Sequence, residues 1–349
     1  MNRIVKPLLA WYDRGRRILP WRRQPTPYRV WVSEIMLQQT RVEAVKPYYD
    51  RFMRMLPDIQ SLAEVEEECL LKLWEGLGYY NRARNLKKTA KIIVIDYGGQ
   101  MPGTYEELVK PPGIGSYTAG AIASIAFSQK SPAVDGNVLR ILSRLRMDER
   151  NVLDAKVKKE IEAELSEIIP EERPGDFNQA LMELGAVVCI PNGIAKCDAC
   201  PLAHLCMAKS SGRIAEFPKK ASKKPRSVEE KTILVILDED KVALHKRADR
   251  GLLAGMYEFP SMEGIQTAER VIAYLKSMGM SPLKIEELPS SKHIFTHKEW
   301  HMAGFCIRVD ELERISPAEE LFFAARDEIK EKYPIPSAFH VYMDFVDGK

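Results

Sequence analysis

Four cysteines near the middle of the chain restrict its fold more than any other feature. Cys189, Cys197, Cys200 and Cys206 fall within 18 positions, with seven, two and five residues between successive cysteines. In a reducing compartment, thiols this close in sequence indicate a metal site and not disulfides. Four thiolates suit a four-iron cluster, and a zinc site with four thiolate ligands is the alternative. We expect the metal to pin the end of a helical domain.

The spacing of the apolar residues divides the chain into two domains. Residues 1–212 place apolar side chains at helical intervals, as in the runs Val30 to Met36 and Leu86 to Ile95. Residues 229–349 change to a strand pattern, with a β-pair expected over Thr232 to Leu237 and Lys241 to His245. The chain is therefore expected to join an all-α domain to an α+β domain, and 349 residues suit two domains.

Further elements and a linker complete this outline. The pattern predicts a strand over Trp300 to Val309 and helices near Ala268 to Met278 and Pro317 to Ile329. Residues 213–228 are predicted to be a basic linker, either solvated or lying along phosphates. Its positive charges are Lys219, Lys220, Lys223, Lys224 and Arg226.

Composition excludes some functional classes and leaves others open. The net charge of +3 and the isoelectric point of about 8.4 permit nucleic-acid binding but do not demonstrate it. No apolar stretch approaches the length of a membrane span, and the first residues do not resemble a secretory signal. We expect a soluble, cytoplasmic protein.

A glycine-containing loop lies between two predicted helices. Thr104 is expected to cap a helix that begins at Tyr105, and Ser116 to cap the next one. Between them, Gly113 and Gly115 are expected to adopt positive φ, so that the loop amides can bind a phosphate at the start of the second helix. A plain helix–helix turn is the alternative, because Gly-X-Gly alone is a weak signal.

Several ordered motifs resemble one enzyme family over nearly the whole chain. Residues 108–119, LVKPPGIGSYTA, resemble the helix-hairpin-helix of base-excision DNA glycosylases, and residues 132–138, PAVDGNV, follow it. Residues 19–22, LPWR, and 31–40, WVSEIMLQQT, resemble adenine DNA glycosylases of the MutY type. The segment GLGYY at 76–80 is similar as well. The resemblance implies an all-α helix-hairpin-helix glycosylase domain with an iron–sulfur cluster loop.

The resemblance also assigns catalytic residues. Glu34 matches the acid that protonates the adenine ring, and its apolar neighbours favour a raised pKa. Asp135 matches the aspartate that stabilises the sugar cation, although Asp-Gly-Asn is also ordinary helix-cap chemistry. Asn137 is expected to support Asp135. Tyr117 stands where the related lyases carry a Schiff-base lysine, so hydrolysis without strand cleavage is implied.

The same resemblance implies a set of DNA contacts. The family places an arginine near the target base and pushes other side chains into the duplex around the lesion. Apolar and aromatic side chains can insert between stacked bases, and a side-chain amide can hydrogen-bond to the base that is left unpaired in the opposite strand. The residues that match are Arg22, Gln39, Thr40, Leu77 and Tyr79, beside the hairpin glycines Gly113 and Gly115. Without the resemblance, Leu77 and Tyr79 would be assigned to the core.

The four cysteines resemble the [4Fe-4S] loop of these glycosylases. Their first interval is usually six residues, whereas seven separate Cys189 from Cys197 here. Because of the extra residue, the family pattern does not fix the backbone path of this loop. Only Lys196 is basic between those two cysteines, which predicts a weak grip on phosphates.

The second half resembles the Nudix-like domain of adenine DNA glycosylases. Residues 247–260, RADRGLLAGMYEFP, are similar to the opening of that domain. The segment that follows offers Glu263 and Glu269 but no glutamate-rich Mg²⁺ box, so we expect no pyrophosphatase activity. Phe295, Thr296 and His297 resemble the loop that reads 8-oxoguanine, with Thr296 where the family usually has serine.

Together these features predict a monomeric, nucleoid-associated glycosylase. It is expected to excise adenine opposite 8-oxoguanine or guanine in double-stranded DNA and to leave an abasic site. A pyrimidine-damage glycosylase with lyase activity and the same fold is one alternative, opposed by Tyr117. A non-catalytic iron–sulfur DNA-binding protein is another, opposed by Glu34 and Asp135.

Overall fold

The chain folds into two compact units. A computed structural model describes residues 2–221, 225–310 and 321–346. Unit 1 comprises Met1–Val65 and Arg84–Ser222, and unit 2 comprises Glu66–Ala83 and Lys223–Lys349. The expected domains were continuous along the chain, whereas residues 66–83 group with the C-terminal half. Among the residues described, no helix is long and apolar enough to cross a membrane.

Unit 1 is helical, as the spacing of its apolar residues predicts. Its core includes buried side chains of α1, α10 and α12, and α12 packs against both of the other helices. The helices up to the hairpin are α1 (Val5–Gly15), α2 (Pro20–Arg23), α3 (Pro27–Leu37), α4 (Val42–Met55), α5 (Ile59–Glu64), α6 (Glu67–Trp74, in unit 2), α7 (Asn81–Tyr97) and α8 (Tyr105–Leu108). Those that follow it are α9 (Ser116–Phe127), α10 (Gly136–Arg146), α11 (Ala155–Ile168), α12 (Pro174–Val187) and α13 (Met207–Ser210).

Helix α9 reaches its neighbours through small residues. An added Cβ at Gly120 would lie 1.9 Å from the carbonyl oxygen of Pro132, so only glycine allows this approach. On α12, a Cβ at Gly175 would lie 2.7 Å from the carbonyl oxygen of Ser124. The Gly175 contact brings α12 close to α9, which also packs against α3.

The helix-hairpin-helix forms with two corrections. Thr104 accepts a hydrogen bond from the Glu107 amide at 3.3 Å, and α8 begins at Tyr105 as predicted. Ser116 does not cap α9, because Gly115 occupies that position and the Ser116 hydroxyl instead donates to Glu162 at 3.0 Å. Gly113 has the expected positive φ of 84°, but Gly115 is extended with φ −87°.

The basic linker is shorter than predicted. Phe217 is buried in the core of unit 1, and the Val152 amide donates to the Lys219 carbonyl at 3.2 Å. Lys219 also pairs with Glu149 and Glu216 at 3.6 Å. Residues 213–221 are thus part of unit 1, because an aromatic anchor and backbone bonds offset the cost of ordering them. Lys223 and Lys224 lie outside the described residues.

Unit 2 contains a mixed seven-stranded sheet. The main strand order is β3-β2-β1-β6-β5, with β4 also pairing with β1 and β7 with β2. Strands β1 and β6 are parallel, and the other pairings are antiparallel. The strands are β1 (Ser227–Asp238), β2 (Lys241–Lys246), β3 (Tyr257–Glu258), β4 (Ser261–Glu263), β5 (Ser281–Ile294), β6 (Lys298–Asp310) and β7 (Leu321–Ala325).

In addition to α6, the described part of unit 2 contains three α-helices. Helix α14 (Ala268–Ser277) contributes Val271 and Leu275 to one apolar cluster of the sheet. Helices α15 (Arg326–Glu331) and α16 (His340–Val346) contribute to a second cluster, which also contains Trp300. Each cluster draws alternate residues of β1, so the two faces of this strand are both covered.

The strand predictions for this half are confirmed, and one helix prediction is confirmed only at its C-terminal end, which lies in α15. The β1–β2 hairpin pairs Leu237 with Val242, and the strand expected over Trp300 to Val309 lies within β6. The helix expected over Pro317 to Ile329 begins outside the described residues, and Leu321–Ala325 is a strand. Pairing of Ala324 with Val242 explains the error, because tertiary contacts override local helical spacing.

Candidate active site

Glu34 is a buried acid on α3. Its side chain lies between the apolar residues of the helix, and the residue is only 6% exposed. The pKa of the Glu34 carboxyl is raised to about 7: burial is the main cause and the nearby charge of Asp135 acts with it, while the Tyr117 hydroxyl and the Arg22 charge oppose the rise. A carboxyl with this pKa can hold a proton near neutral pH.

Tyr117 lies on α9 and faces Glu34. Its hydroxyl donates a short hydrogen bond to Glu34 Oε2, and it lies 3.1 Å from the sulfur of Met182 on α12. Burial raises the pKa of the Tyr117 phenol well above its ordinary value, and the charges of Glu34 and Asp135 act in the same direction. The phenol therefore stays protonated and acts as a donor to the acid.

Asp135 is the N-cap of α10 and a functional candidate at once. One carboxylate oxygen accepts from the Asn137 and Val138 amides at 2.9 Å, and the other accepts from the Asn137 side chain at 2.6 Å. Burial raises the pKa of Asp135, and these three N–H donors with the Arg140 charge lower it. Burial is the larger effect, so the pKa of Asp135 lies above its ordinary value, although these donors favour the charged form.

A chain of hydrogen bonds connects Asp135 to the cysteine loop. Asn137 Oδ1 accepts from Arg140 Nη2 at 2.9 Å, and Arg140 Nε donates to the Cys189 carbonyl at 2.8 Å. Gly185 makes room for this chain, since a Cβ there would lie 2.4 Å from Asn137 Cβ. Sequence reasoning missed Arg140, although its position three residues after Asn137 on one helix places both on the same face.

Arg22 is held by a buried acid that sequence reasoning also missed. Its guanidinium donates to Glu183 Oε2 at 2.9 Å and to the Arg17 carbonyl at 3.1 Å. Its positive charge acts on the Glu34 carboxyl, which places the two groups near each other. Arg17 and Glu183 lie 166 positions apart in sequence, so no local pattern could pair them.

Four free thiols lie in the segment after α12. Cys206 is buried and the other three are half-buried. The pKa of the Cys200 thiol is raised to about 11, mainly by burial and also by the charges of Cys189, Cys206 and Cys197, so the four thiols lie within electrostatic range of one another. Arg144 donates to the sulfur of Cys189 at 3.2 Å, a contact suited to a thiolate.

The loop offers four thiols as metal ligands. A zinc ion would draw four thiolates to ~2.3 Å from a single point, whereas a four-iron cluster takes one thiolate on each iron. The chemistry of the donor set suits either group.

The hairpin presents backbone donors at the start of α9. Ile114 is buried and anchors the turn, and the Thr89 hydroxyl donates to the Pro112 carbonyl. Gly113 stands against Asn85, where a Cβ would approach the Asn85 Cβ to 2.8 Å. Gly115 is exposed with open space around it, which leaves its amide side accessible to a phosphate.

Gln39 and Thr40 follow the end of α3. Gln39 is exposed and has a positive φ of 58°, which is uncommon for a residue with a side chain. The Thr40 hydroxyl donates to the Gln38 carbonyl at 3.3 Å. This strained, exposed turn directly follows the helix that carries Glu34, as expected of a ligand-contacting position.

A second set of predicted DNA contacts lies in unit 2, in the loop after α6. Tyr79 is 54% exposed with φ 49°, whereas Leu77 is 6% exposed and buried. Arg82 holds the loop by donating to the Leu77 and Gly78 carbonyls at 3.0 and 2.9 Å, and its guanidinium lies 5.7 Å from the centre of the Tyr79 ring. Leu77 is thus a core residue in this state, and Tyr79 projects.

The loop between β5 and β6 carries Phe295, Thr296 and His297. Phe295 is half-buried, with its ring 4.8 Å from that of Trp300, while Thr296 and His297 are exposed. The Thr296 hydroxyl lies 3.1 Å from the Tyr79 hydroxyl, so these two predicted contacts lie together within unit 2.

Comparisons with known proteins match both domains and most of the chain. Residues 32–171 match the model of the HhH-GPD superfamily of base excision DNA repair proteins, and residues 232–344 match that of the NUDIX domain. A mouse adenine DNA glycosylase is 36% identical over 87% of this chain and 70% of its own length. One from Buchnera aphidicola subsp. Baizongia pistaciae is 34% identical over 88% and 87%. The chain belongs to the adenine DNA glycosylase family.

A solved structure confirms the fold of the helical part. "Structure of a Trapped Endonuclease III-DNA Covalent Intermediate: Estranged-Adenine Complex" superimposes with a TM-score of 0.52 at 25% identity. It covers 60% of this chain and 95% of the endonuclease chain. The enzyme thus combines a helical helix-hairpin-helix glycosylase domain with an α+β Nudix-like domain, as the sequence predicts.

The contact between Tyr117 and Glu34 gives a direct prediction. In Tyr117→Phe the donor that favours the charged carboxylate is lost, so the pKa of Glu34 should rise above its value of about 7. Carbon-13 NMR titration of labelled glutamate carboxyls measures it, with Tyr97→Phe at the end of α7 as the control. An unchanged or lower pKa in Tyr117→Phe would contradict the assigned hydrogen bond.

Proposed function

We propose that this enzyme hydrolyses the N-glycosidic bond of adenine opposite 8-oxoguanine or guanine in double-stranded DNA and leaves an abasic site. The observation that carries the proposal is the buried Glu34, whose pKa is raised to about 7, within range of the Asp135 charge and hydrogen-bonded by the Tyr117 hydroxyl. Membership of the adenine DNA glycosylase family supports the choice of base. The proposal includes a monomer that acts on chromosomal DNA in the cytoplasm.

Two carboxyl groups divide the work of the reaction. Glu34 gives its proton to a ring nitrogen of adenine as the bond from C1′ to N9 breaks, and the bonding electrons leave with the base. Asp135 keeps its negative charge and stabilises the oxocarbenium ion on the sugar. A water molecule then attacks C1′ and loses a proton to the Glu34 carboxylate, which restores the starting state.

Tyr117 makes the reaction hydrolytic. A lysine at this position in the related lyases attacks the sugar carbon through its amine, and a phenol has no such nitrogen. Here the Tyr117 hydroxyl already donates a hydrogen bond to Glu34, and it lies 3.1 Å from the sulfur of Met182. We therefore propose excision without strand cleavage.

DNA binding is assigned to both units. The Gly113–Gly115 hairpin binds a backbone phosphate, and Gln39 and Thr40 contact the base left behind. Tyr79, which projects from its loop, inserts beside the lesion. Leu77 is buried in this state, so its insertion requires the loop to move when DNA binds.

Recognition of the oxidised base is assigned to the loop at Phe295. 8-Oxoguanine differs from guanine by an N7–H donor and an O8 acceptor, and the Thr296 hydroxyl can accept from one or donate to the other. Thr296 lies 3.1 Å from the Tyr79 hydroxyl, so intercalation and base reading share one hydrogen bond. His297, which is exposed, contacts the phosphate or the base edge. The proposed role of unit 2 is recognition, without pyrophosphatase activity.

A [4Fe-4S] cluster is proposed on Cys189, Cys197, Cys200 and Cys206. When bound, it supplies four covalent iron–thiolate links that pin the end of unit 1. Arg144 stabilises this loop, because it donates to the Cys189 sulfur and to the Phe217 carbonyl at 3.1 Å.

A duplex excision assay tests the proposed reaction. With enzyme in excess, adenine opposite 8-oxoguanine or guanine should be released, and strand breaks should form only after alkali. Glu34→Gln should lower the rate by about 10²- to 10⁴-fold, because proton transfer to the base is lost. Glu43→Gln, which alters a 74% exposed carboxylate paired with Lys46, is the control.

Two results would overturn that proposal. One is release of adenine by Glu34→Gln at the wild-type rate. The other is cleavage of pyrimidine-damaged duplexes without alkali, which the similarity to the endonuclease III complex makes the second candidate function.

Metal analysis tests the proposed cluster. The purified chain should contain about four iron and four sulfide per molecule and absorb broadly in the visible range. Cys200→Ala should lose iron, whereas Cys69→Ala, which alters an exposed thiol, should retain it. Stoichiometric zinc in protein prepared with both metals present would refute the assignment.

A further inference from the structure

Glu183 is the most buried acid of unit 1 with a defined set of partners. It lies on α12, is 1% exposed, and accepts four hydrogen bonds from two arginines. Three come from Arg17, from its backbone amide at 3.1 Å, from Nε at 2.7 Å and from Nη2 at 3.0 Å. The fourth comes from Arg22 Nη2 at 2.9 Å.

This cluster adjoins the catalytic acid. Glu183 directly follows Met182, whose sulfur lies 3.1 Å from the Tyr117 hydroxyl, and Tyr117 in turn donates to Glu34. Arg22 reaches Glu34 electrostatically, since its charge is one of the causes that act on the pKa of that carboxyl. Glu183 thus follows a residue that contacts Tyr117, and its own partner Arg22 acts on the Glu34 carboxyl.

The segment that carries the arginines cannot fix them by itself. Arg17 lies in the connection after α1, and Arg22 lies on α2, which has only four residues. So short a helix has little stability of its own in water. The buried carboxylate of Glu183, on the 14-residue helix α12, supplies the missing anchor.

We propose that Glu183 is a positioning residue for adenine excision: it holds the guanidinium of Arg22 beside Glu34, where Arg22 meets the acceptor atoms of the flipped base. The inference rests on the proposed function. Among the described residues, Arg22 uses two of its five N–H donors, on Arg17 and Glu183. The remaining donors match the ring-nitrogen acceptors of a purine.

The charge of Glu183 matters as much as its geometry. Protonation of adenine by Glu34 places positive charge on the base, and two uncompensated arginines nearby would oppose that step. The Glu183 carboxylate balances one of the two positive charges at 2.7 to 2.9 Å. Loss of the carboxylate therefore affects the chemical step more than it affects DNA binding, which depends mainly on phosphates.

The test compares single-turnover excision rates with dissociation constants for the uncleaved duplex. Glu183→Gln should lower the rate about 10- to 100-fold and leave the dissociation constant within about twofold, because the loss is one of orientation. Glu183→Asp, which keeps the charge, should excise adenine at a rate between those of Glu183→Gln and the wild type. Asp13→Asn, which breaks a surface pair with Arg173, should react as wild type does.

A double variant decides whether Glu183 acts through Arg22. If it does, Glu183→Gln combined with Arg22→Gln should be no slower than the slower single variant, because both remove one interaction. Losses that multiply, or a wild-type rate in Glu183→Gln, overturn the inference. If Glu183→Gln does not fold, as judged by circular dichroism, the same comparison is made with Glu183→Asp, alone and combined with Arg22→Gln. Failure of the wild-type protein to release adenine contradicts the proposed function instead.

Discussion

The hydrogen bond from the Tyr117 hydroxyl to the buried Glu34 carboxyl is the interaction on which the site depends. Both groups are buried, and two negative charges at Glu34 and Asp135 would repel each other there. The lower-energy state has one proton, and the hydrogen-bond donors decide where it resides. Three N–H groups donate to Asp135 and one phenol donates to Glu34, which supports the proposal that the proton resides on Glu34.

Close backbone packing fixes the positions of Tyr117 and Asp135. Helix α9 carries Tyr117 and reaches α12 and the segment before Asp135 only because Gly120 and Gly175 lack side chains. Asp135 is fixed by the same contacts that begin α10, so one side chain serves the fold and the proposed chemistry together. Gly185 extends this arrangement, since it admits Asn137 and hence the chain through Arg140 to the Cys189 carbonyl.

The sequence predicts much of this structure where the signals are local. Helical spacing, the Thr104 cap and the β1–β2 hairpin depend on neighbours within a few residues, and these predictions are confirmed. The cap at Ser116 was wrong because Gly115 already occupies the extended position before α9. The helix predicted near Leu321 was wrong because pairing with β2 decides that segment.

Local sequence patterns could not identify the residues that are joined only by long-range contacts. Arg17, Arg22 and Glu183 meet across more than 160 positions, and Arg140 acquires its role only when the Cys189 loop returns to α10. The motif resemblance located Glu34, Asp135 and Tyr117, but it could not give their protonation. That property follows from burial and hydrogen bonding, which exist only in the folded chain.

The pH dependence of the chemical step tests the central claim most directly. The measurement is the single-turnover rate of adenine release from a duplex with 8-oxoguanine, taken from about pH 5 to about pH 9 with the DNA fully bound. Because burial raises the pKa of Glu34 to about 7, the rate should fall above that pH, by about tenfold per unit, as the acid loses its proton. A rate that is constant or rises through the same range would show that Glu34 does not deliver the proton and would contradict the account.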